Sequence, residues 1–200
     1  VENSNQVENQ RRRGRWSMFA VLLVCAAPII ASYITYFLIK PEGRTNYGDL
    51  IDPREHPIPA IASTALDGKP ATLADYQGKW IMLKVGGSAC DQKCQDMLFM
   101  MRQLRTMQGK EAERIERVWL ITDQEPLETF MLRVNDGTRF LRAPAGAVAK
   151  WLPLEQGGKV EEHIYLIDPM GHLMMRFPKD ADPAKVKKDL AKVLKASAIG

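Results

Sequence analysis

Cys90 and Cys94 carry the clearest chemistry in the sequence. They stand four residues apart in GGSACDQKC, while the third cysteine, Cys25, lies far upstream in an apolar run. If a helix begins near Ala89, Cys90 falls in its first turn, where the helix dipole and free N–H groups favour a thiolate. Cys94 follows one turn later on the same face. Such a pair can close a disulfide, exchange it with another dithiol, or offer two sulfurs to a soft ion. Structural zinc wants four ligands, and there is no second cysteine pair to supply them. Two thiolates with one imidazole suit Cu(I) better. An inert structural disulfide is the plainer alternative, although so short a loop would constrain the unfolded chain little. Cys25 reads as a small apolar side chain.

The elements around the pair follow from periodicity and turn chemistry. Trp80–Val85 (WIMLKV) is a largely apolar run and is expected to form a central strand. Gly86-Gly87-Ser88 breaks it, and Ser88 with Asp91 resembles a capping box opening a helix that runs to about Gly109. Met97, Leu98, Met101 and Leu104 form the apolar face of that helix. Cys90, Cys94, Met97 and Met101 would then share a stripe. Thioethers bind Cu(I), but core filling is the commoner use of methionine. Arg117–Thr122 reads as a second buried strand, Leu127–Val134 and Ala145–Leu152 as short helices. His163–Ile167 and His172–Phe177 read as strands joined by the turn Asp168-Pro169-Met170-Gly171. A hairpin is expected over Ile61–Leu66 and Pro70–Leu73 around Asp67-Gly68. Asp182-Pro183 opens a last amphipathic helix reaching about Ala196. Strands mixed with helices predict an α/β fold. A strand leading through a glycine-rich break to a cysteine at a helix start resembles the arrangement of thioredoxin-like domains. That resemblance implies a thioredoxin-like central sheet flanked by helices, here preceded by one N-terminal transmembrane helix.

That transmembrane segment is Trp16–Ile39, which contains no charged residue. Its 24 residues reach about 36 Å, enough for a hydrocarbon core of about 30 Å. Trp16 at one end, and Tyr33, Tyr36 and Lys40 at the other, suit the interfaces with lipid. A signal-peptide core is normally shorter, so an anchor is expected rather than a cleaved leader. The preceding RRRGR keeps the N-terminus cytoplasmic and places the rest of the chain across the membrane. The expected division is a cytoplasmic basic tail (1–15, its first ten residues disordered), the anchor (16–39), a proline-rich extended linker lying along the domain (40–57) and an exported thioredoxin-like domain (58–200). The short basic flank favours a bacterial inner membrane and a periplasmic domain.

Of the net charge of +4, +3 sits in residues 1–40, so the domain itself is nearly neutral. No basic face is implied, and nucleic acid is not an expected partner. There is no G-x-x-x-x-G-K-[ST], H-E-x-x-H, G-x-S-x-G or G-x-G-x-x-G, so nucleotide, hydrolase and dehydrogenase readings lack support.

On the anchor, the C-x-x-x-C spacing of Cys90 and Cys94, ITDQEP (121–126) and YLIDPMG (165–171), the chain resembles the SCO/SenC group of membrane-anchored copper-delivery proteins. The resemblance spans about residues 58–196. It implies copper, as Cu(I), held by Cys90 and Cys94 and passed to the cytochrome c oxidase subunit that carries the copper centre. It also implies thiol–disulfide work on that subunit. The family's third ligand, a histidine five residues before the tyrosine of its Y-L-x-D-P block, falls here on Val160. His163 is the nearest imidazole and the candidate third ligand, with a strand histidine bonded at the sheet end as the alternative. A thiol–disulfide oxidoreductase is a second reading, although the C-x-x-C spacing and cis-proline of such enzymes are missing. A non-catalytic interaction module is a third.

Overall fold

A computed structural model of the chain describes residues 2–35, 46–154 and 157–199, with residues 2–15 described by backbone alone. Two compact units emerge, Val1–Thr45 and Asn46–Gly200.

The first unit is the helix α1 (Glu2–Ile34), with Pro28 inside it. Its stretch Trp16–Ile34 is 19 residues long with a mean hydropathy of 2.2, long and apolar enough to cross a membrane. Leu22, Leu23, Val24 and Ile29 stand exposed on its surface, as lipid-facing side chains would. The end expected at Ile39 lies outside the described residues. The disorder expected for residues 1–10 is not what the structure holds: the backbone is helical from Glu2 onward. Once the apolar helix exists, extending it needs no new nucleus, and Glu, Gln and Arg propagate it well.

The second unit is built on a seven-stranded mixed sheet. Its strands are β1 (Asp49–Leu50), β2 (Thr64–Ala65), β3 (Trp80–Gly86), β4 (Ile115–Ile121), β5 (Thr138–Arg142), β6 (Ile164–Ile167) and β7 (Leu173–Arg176). Their order across the sheet is β1-β7-β6-β3-β4-β5-β2. β3, β4 and β5 run parallel, while β6 lies antiparallel to β3 and β7 antiparallel to β6. The helices are α2 (Gln92–Thr106), α3 (Thr129–Val134), α4 (Ala145–Trp151) and α5 (Pro183–Ala196). Every residue of β3 and β4 is buried, because both faces of the sheet are covered. On one face Trp80, Met82, Trp119 and Ile121 pack with Leu98, Met101 and Leu104 of α2, Met131 of α3 and Leu190 of α5. On the other, Ile81, Leu83, Val85 and Tyr165 pack with Val148 and Trp151 of α4. This is the thioredoxin-like α/β sheet expected, with α5 starting at Pro183 as its turn chemistry indicated.

Three local differences have physical causes. β5, unanticipated, reads TRFLR, a short strand whose two arginines obscure its alternation; pairing with β4 defines it. The expected hairpin is shorter than foreseen: Thr64 bridges Pro70, and the N–H groups of Ala65 and Ala71 donate to the carbonyls of Lys69 and Ser63. Gly68 (φ 81°) sits in the turn before Leu73 opens a 3-10 turn, while the other edge of β2 pairs with β5. The compact unit begins at Asn46 rather than at 58, and residues 46–57 lie along the domain as the extended linker was expected to. β1 adds to β7, and the Asp189 carboxylate of α5 accepts the backbone N–H groups of Tyr47 and Gly48 at 2.6 and 2.9 Å.

Candidate functional site

The sequence places a strand, a glycine break and a helix around the cysteines, and the structure sets them at the C-terminal end of β3. Cys90 and Cys94 form a disulfide, with their Cα atoms 5.2 Å apart. Helix α2 begins three residues later than expected. Asp91, not Ser88, is its cap, and Oδ1 of Asp91 accepts the Cys94 N–H at 2.9 Å. Cys90 therefore sits ahead of the helix rather than in its first turn. Its carbonyl accepts from Gln95 Nε2 at 3.1 Å. Cys90 is half-buried, whereas Cys94 is buried against the core under α2. The supposed stripe of sulfurs is thus interrupted: Cys94 and Met101 are buried, Met97 is half-buried, and Cys90 lies outside the helix.

Asp123, from the ITDQEP segment, props the loop that carries Cys90. Its Oδ2 accepts the Ser88 N–H at 2.8 Å. Arg142 of β5 holds the other side, donating to the Asp123 carbonyl at 2.6 Å and approaching Oδ1 at 3.6 Å. Gly87 is required here, because a Cβ at that position would lie 2.5 Å from Asp123 Oδ2. Sequence reasoning missed Arg142, since nothing local announces a contact that depends on β5 pairing with β4.

Beside the disulfide lies a groove of about 830 Å³, lined by Cys94, Met97, Met100 and Ile164 among others. Its floor includes Lys84, an almost fully buried lysine of the central strand. Lys84 Nζ donates to the carbonyls of Val85 and Glu161 at 2.5 and 2.7 Å. Burial lowers its pKa to about 8, since a desolvated ammonium is disfavoured. The only hint in the sequence was one lysine inside an apolar run.

His163 stands at the entrance to β6. It is buried, with Nδ1 2.8 Å from the Phe177 carbonyl oxygen and its ring edge-on to Tyr165, centroids 6.2 Å apart. Tyr165 packs in the cluster on the sheet face opposite Cys94. Among the described residues that line the groove His163 does not appear, and no three His, Cys, Asp or Glu side chains gather as a metal cluster. His163 Nδ1 thus makes a sheet-end hydrogen bond and leaves Nε2 as the ring nitrogen open to a ligand. Cys25 is a free, exposed cysteine on α1. The YLIDPMG block forms the β6–β7 hairpin, closed by Asp168 accepting the His172 N–H at 2.8 Å. Because Ile167 pairs with Ile81 and Ile164 with Lys84, that turn lies at the end of the sheet away from the cysteines.

Comparison with solved structures gives the same fold. Yeast Sco1 with copper bound aligns with a TM-score of 0.54 and 16% identity, covering 78% of this chain and 97% of that one. A SCO1/SenC family lipoprotein from Bacillus anthracis aligns at 0.53 and 19%, covering 74% and 98%. BsSco, described with a disulfide switch as a member of the Sco family of cytochrome c oxidase assembly proteins, aligns at 0.53 and 16%, covering 72% and 95%. At these identities the likeness is one of fold. A search of curated proteins finds no match. A family model matches residues 80–197, more than half of the chain, and it spans the sheet from β3 onward together with the cysteine loop. The chain therefore belongs to the family described as transmembrane-like, thioredoxin-like, C-terminal domain.

Proposed function

We propose that this chain is a membrane-tethered thiol–disulfide assembly factor acting on the cysteines of a copper-carrying cytochrome c oxidase subunit. The observation that carries this reading is the closed Cys90–Cys94 pair beside a groove that Cys94 lines, with Cys90 half-buried and Cys94 buried. A thiolate of the partner's dithiol attacks Cys90 Sγ, the S–S bond breaks, and Cys94 leaves as the thiolate. The partner's second thiolate then attacks the mixed disulfide and releases Cys90. The partner loses two electrons and becomes a disulfide, while Cys90 and Cys94 gain them. The anchor, with RRRGR on its cytoplasmic side, holds residues 58–200 on the periplasmic side of a bacterial inner membrane.

Copper delivery is the second reading, favoured by the copper-bound yeast Sco1 of the same fold. Here Cu(I) is cargo. The reduced pair offers it two thiolates, a donor set suited to a soft ion. His163 does not line the groove that Cys94 lines, so two sulfurs rather than three ligands would hold the ion. Transfer would proceed by stepwise displacement of those sulfurs by the partner's thiolates.

The test uses the full chain in detergent, equilibrated with glutathione and followed by alkylation of free thiols. The pair should open and close reversibly, and Cys94→Ser should trap a mixed disulfide through Cys90. If Cys90→Ser/Cys94→Ser protein supports oxidase assembly as well as the wild type, the redox reading fails. The reduced chain should also take up Cu(I), and His163→Ala should retain it. Undiminished copper binding by the double serine variant would end the cargo reading.

A further inference from the structure

Lys84 is an unusual residue for its place. In β3, Trp80 and Met82 face the α2 side of the sheet, and alternation puts the Lys84 side chain on that same side. Its partners across the sheet are Trp119 and Ile164, both buried in the apolar cluster that holds Cys94. Lysine is almost never fully buried unless it is paired. Yet among the described residues no carboxylate lies within ion-pair distance of Lys84; its Nζ is held by two carbonyl oxygens. The charged groups that face it are accounted for elsewhere. Asp91 caps α2 through the Cys94 N–H, and Glu162 is paired with Lys179 at 2.5 Å. Glu161 supplies its carbonyl to Lys84 while the residue stands exposed. Lys93, Asp96, Lys159 and Asp180 lie around the groove without forming an ion pair to Nζ. Among the described residues the oxidised protein therefore carries a buried cation with no carboxylate in ion-pair contact, Glu161 and Asp91 acting on it only from a distance, beside the groove that Cys94 lines.

Resting on the thiol–disulfide reading, we infer that Lys84 is a positioning residue whose ammonium favours the reduced state, because reduction places a thiolate on Cys94 in the same groove. When the S–S bond breaks, the electron pair departs on Cys94 Sγ. The negative charge appears in a partly desolvated site where the opposite charge is already fixed. No proton need be transferred for this to act, since attraction between the two charges lowers the free energy of the opened pair. Trp119 and Ile164, the cross-sheet neighbours of Lys84, shield the ammonium, so the interaction is screened less than it would be between surface charges.

The experiment compares the full chain in detergent with Lys84→Met, Lys84→Gln and Lys84→Arg. Each is equilibrated across glutathione ratios at pH 7, with near-UV circular dichroism to certify the fold. At an effective dielectric of about 20, opposite unit charges separated by as much as about 10 Å still alter an equilibrium by about tenfold. The Met and Gln variants should thus shift the exchange constant about tenfold toward the disulfide, about 30 mV for a two-electron couple. Lys84→Arg, which keeps the charge, should stay within about threefold of the wild type. A folded Met or Gln variant within twofold of the wild type overturns the role of Lys84 while leaving the redox reading intact. A wild-type disulfide that stays closed at every ratio overturns both.

Discussion

Gly87→Ala asks how the loop carrying Cys90 is held. The new methyl carbon would stand 2.5 Å from Asp123 Oδ2 and 3.6 Å from its Cγ, so the carboxylate must move. That oxygen accepts the Ser88 N–H, and the same side chain lies 3.6 Å from Arg142, whose own side chain is only 14% exposed. Displacing the carboxylate leaves a part-buried N–H without its acceptor and loosens a shielded ion pair. A buried donor left unsatisfied costs about 1–3 kcal/mol, so Gly87→Ala should lose about 2 kcal/mol of stability. Asp123→Ala should lose a similar amount for the same reason. In the Asp123→Ala background the clash has no partner. Gly87 does not hold a left-handed backbone, and an alanine there restricts the unfolded chain, a gain of about 0.4–1 kcal/mol. The two substitutions should therefore be coupled by about 2–3 kcal/mol, far beyond the near-additivity of independent sites. Urea unfolding of the oxidised chain in detergent, followed by the fluorescence of buried Trp80 and Trp119, measures all four corners of the cycle. If Gly87→Ala costs the same with and without Asp123, the carboxylate does not hold the loop and the steric account is wrong.

Other expectations are more direct. Asp189→Ala strips the acceptor from two N–H groups, those of Tyr47 and Gly48, and should lose about 2–5 kcal/mol. Asp189→Asn, which can present one oxygen to both, should lose markedly less, and an equal loss in the two variants by urea midpoint would refute this account. Among the described residues the buried Tyr165 hydroxyl has no hydrogen-bond partner, and desolvation pushes its ionisation up. Tyr165→Phe should be neutral or stabilising by up to about 1 kcal/mol, and a loss above that would reveal a partner for the hydroxyl. Lys84 falls from 10.5 to about 8 on folding, so between those values the unfolded chain binds a proton that the fold releases. Stability should rise with pH through that window, by roughly 3 kcal/mol more than in Lys84→Met, with the destabilisation fully present below pH 8. Parallel pH profiles for the two proteins would refute it.

The local features of this chain were legible because local physics fixes them. Largely apolar runs announced β3 and β4. Asp182-Pro183 announced the start of α5, Asp168–Gly171 announced a turn, and the charge-free stretch after RRRGR announced a helix fit for a membrane. The cysteine spacing alone indicated a pair able to close. What the sequence left open depends on strand register and on which chain segment crosses which face. Cap choice at α2 turned on Asp91 reaching the Cys94 N–H while Asp123 held the Ser88 backbone. β5 became a strand only through β4, and that pairing alone delivers Arg142 to Asp123. The same register decided that His163 turns to the Phe177 carbonyl and that Lys84 ends buried beside the groove of Cys94. Periodicity states which residues share a face of their own element. Which atoms that face then meets is set by contacts between residues far apart in the chain, and no local pattern encodes them.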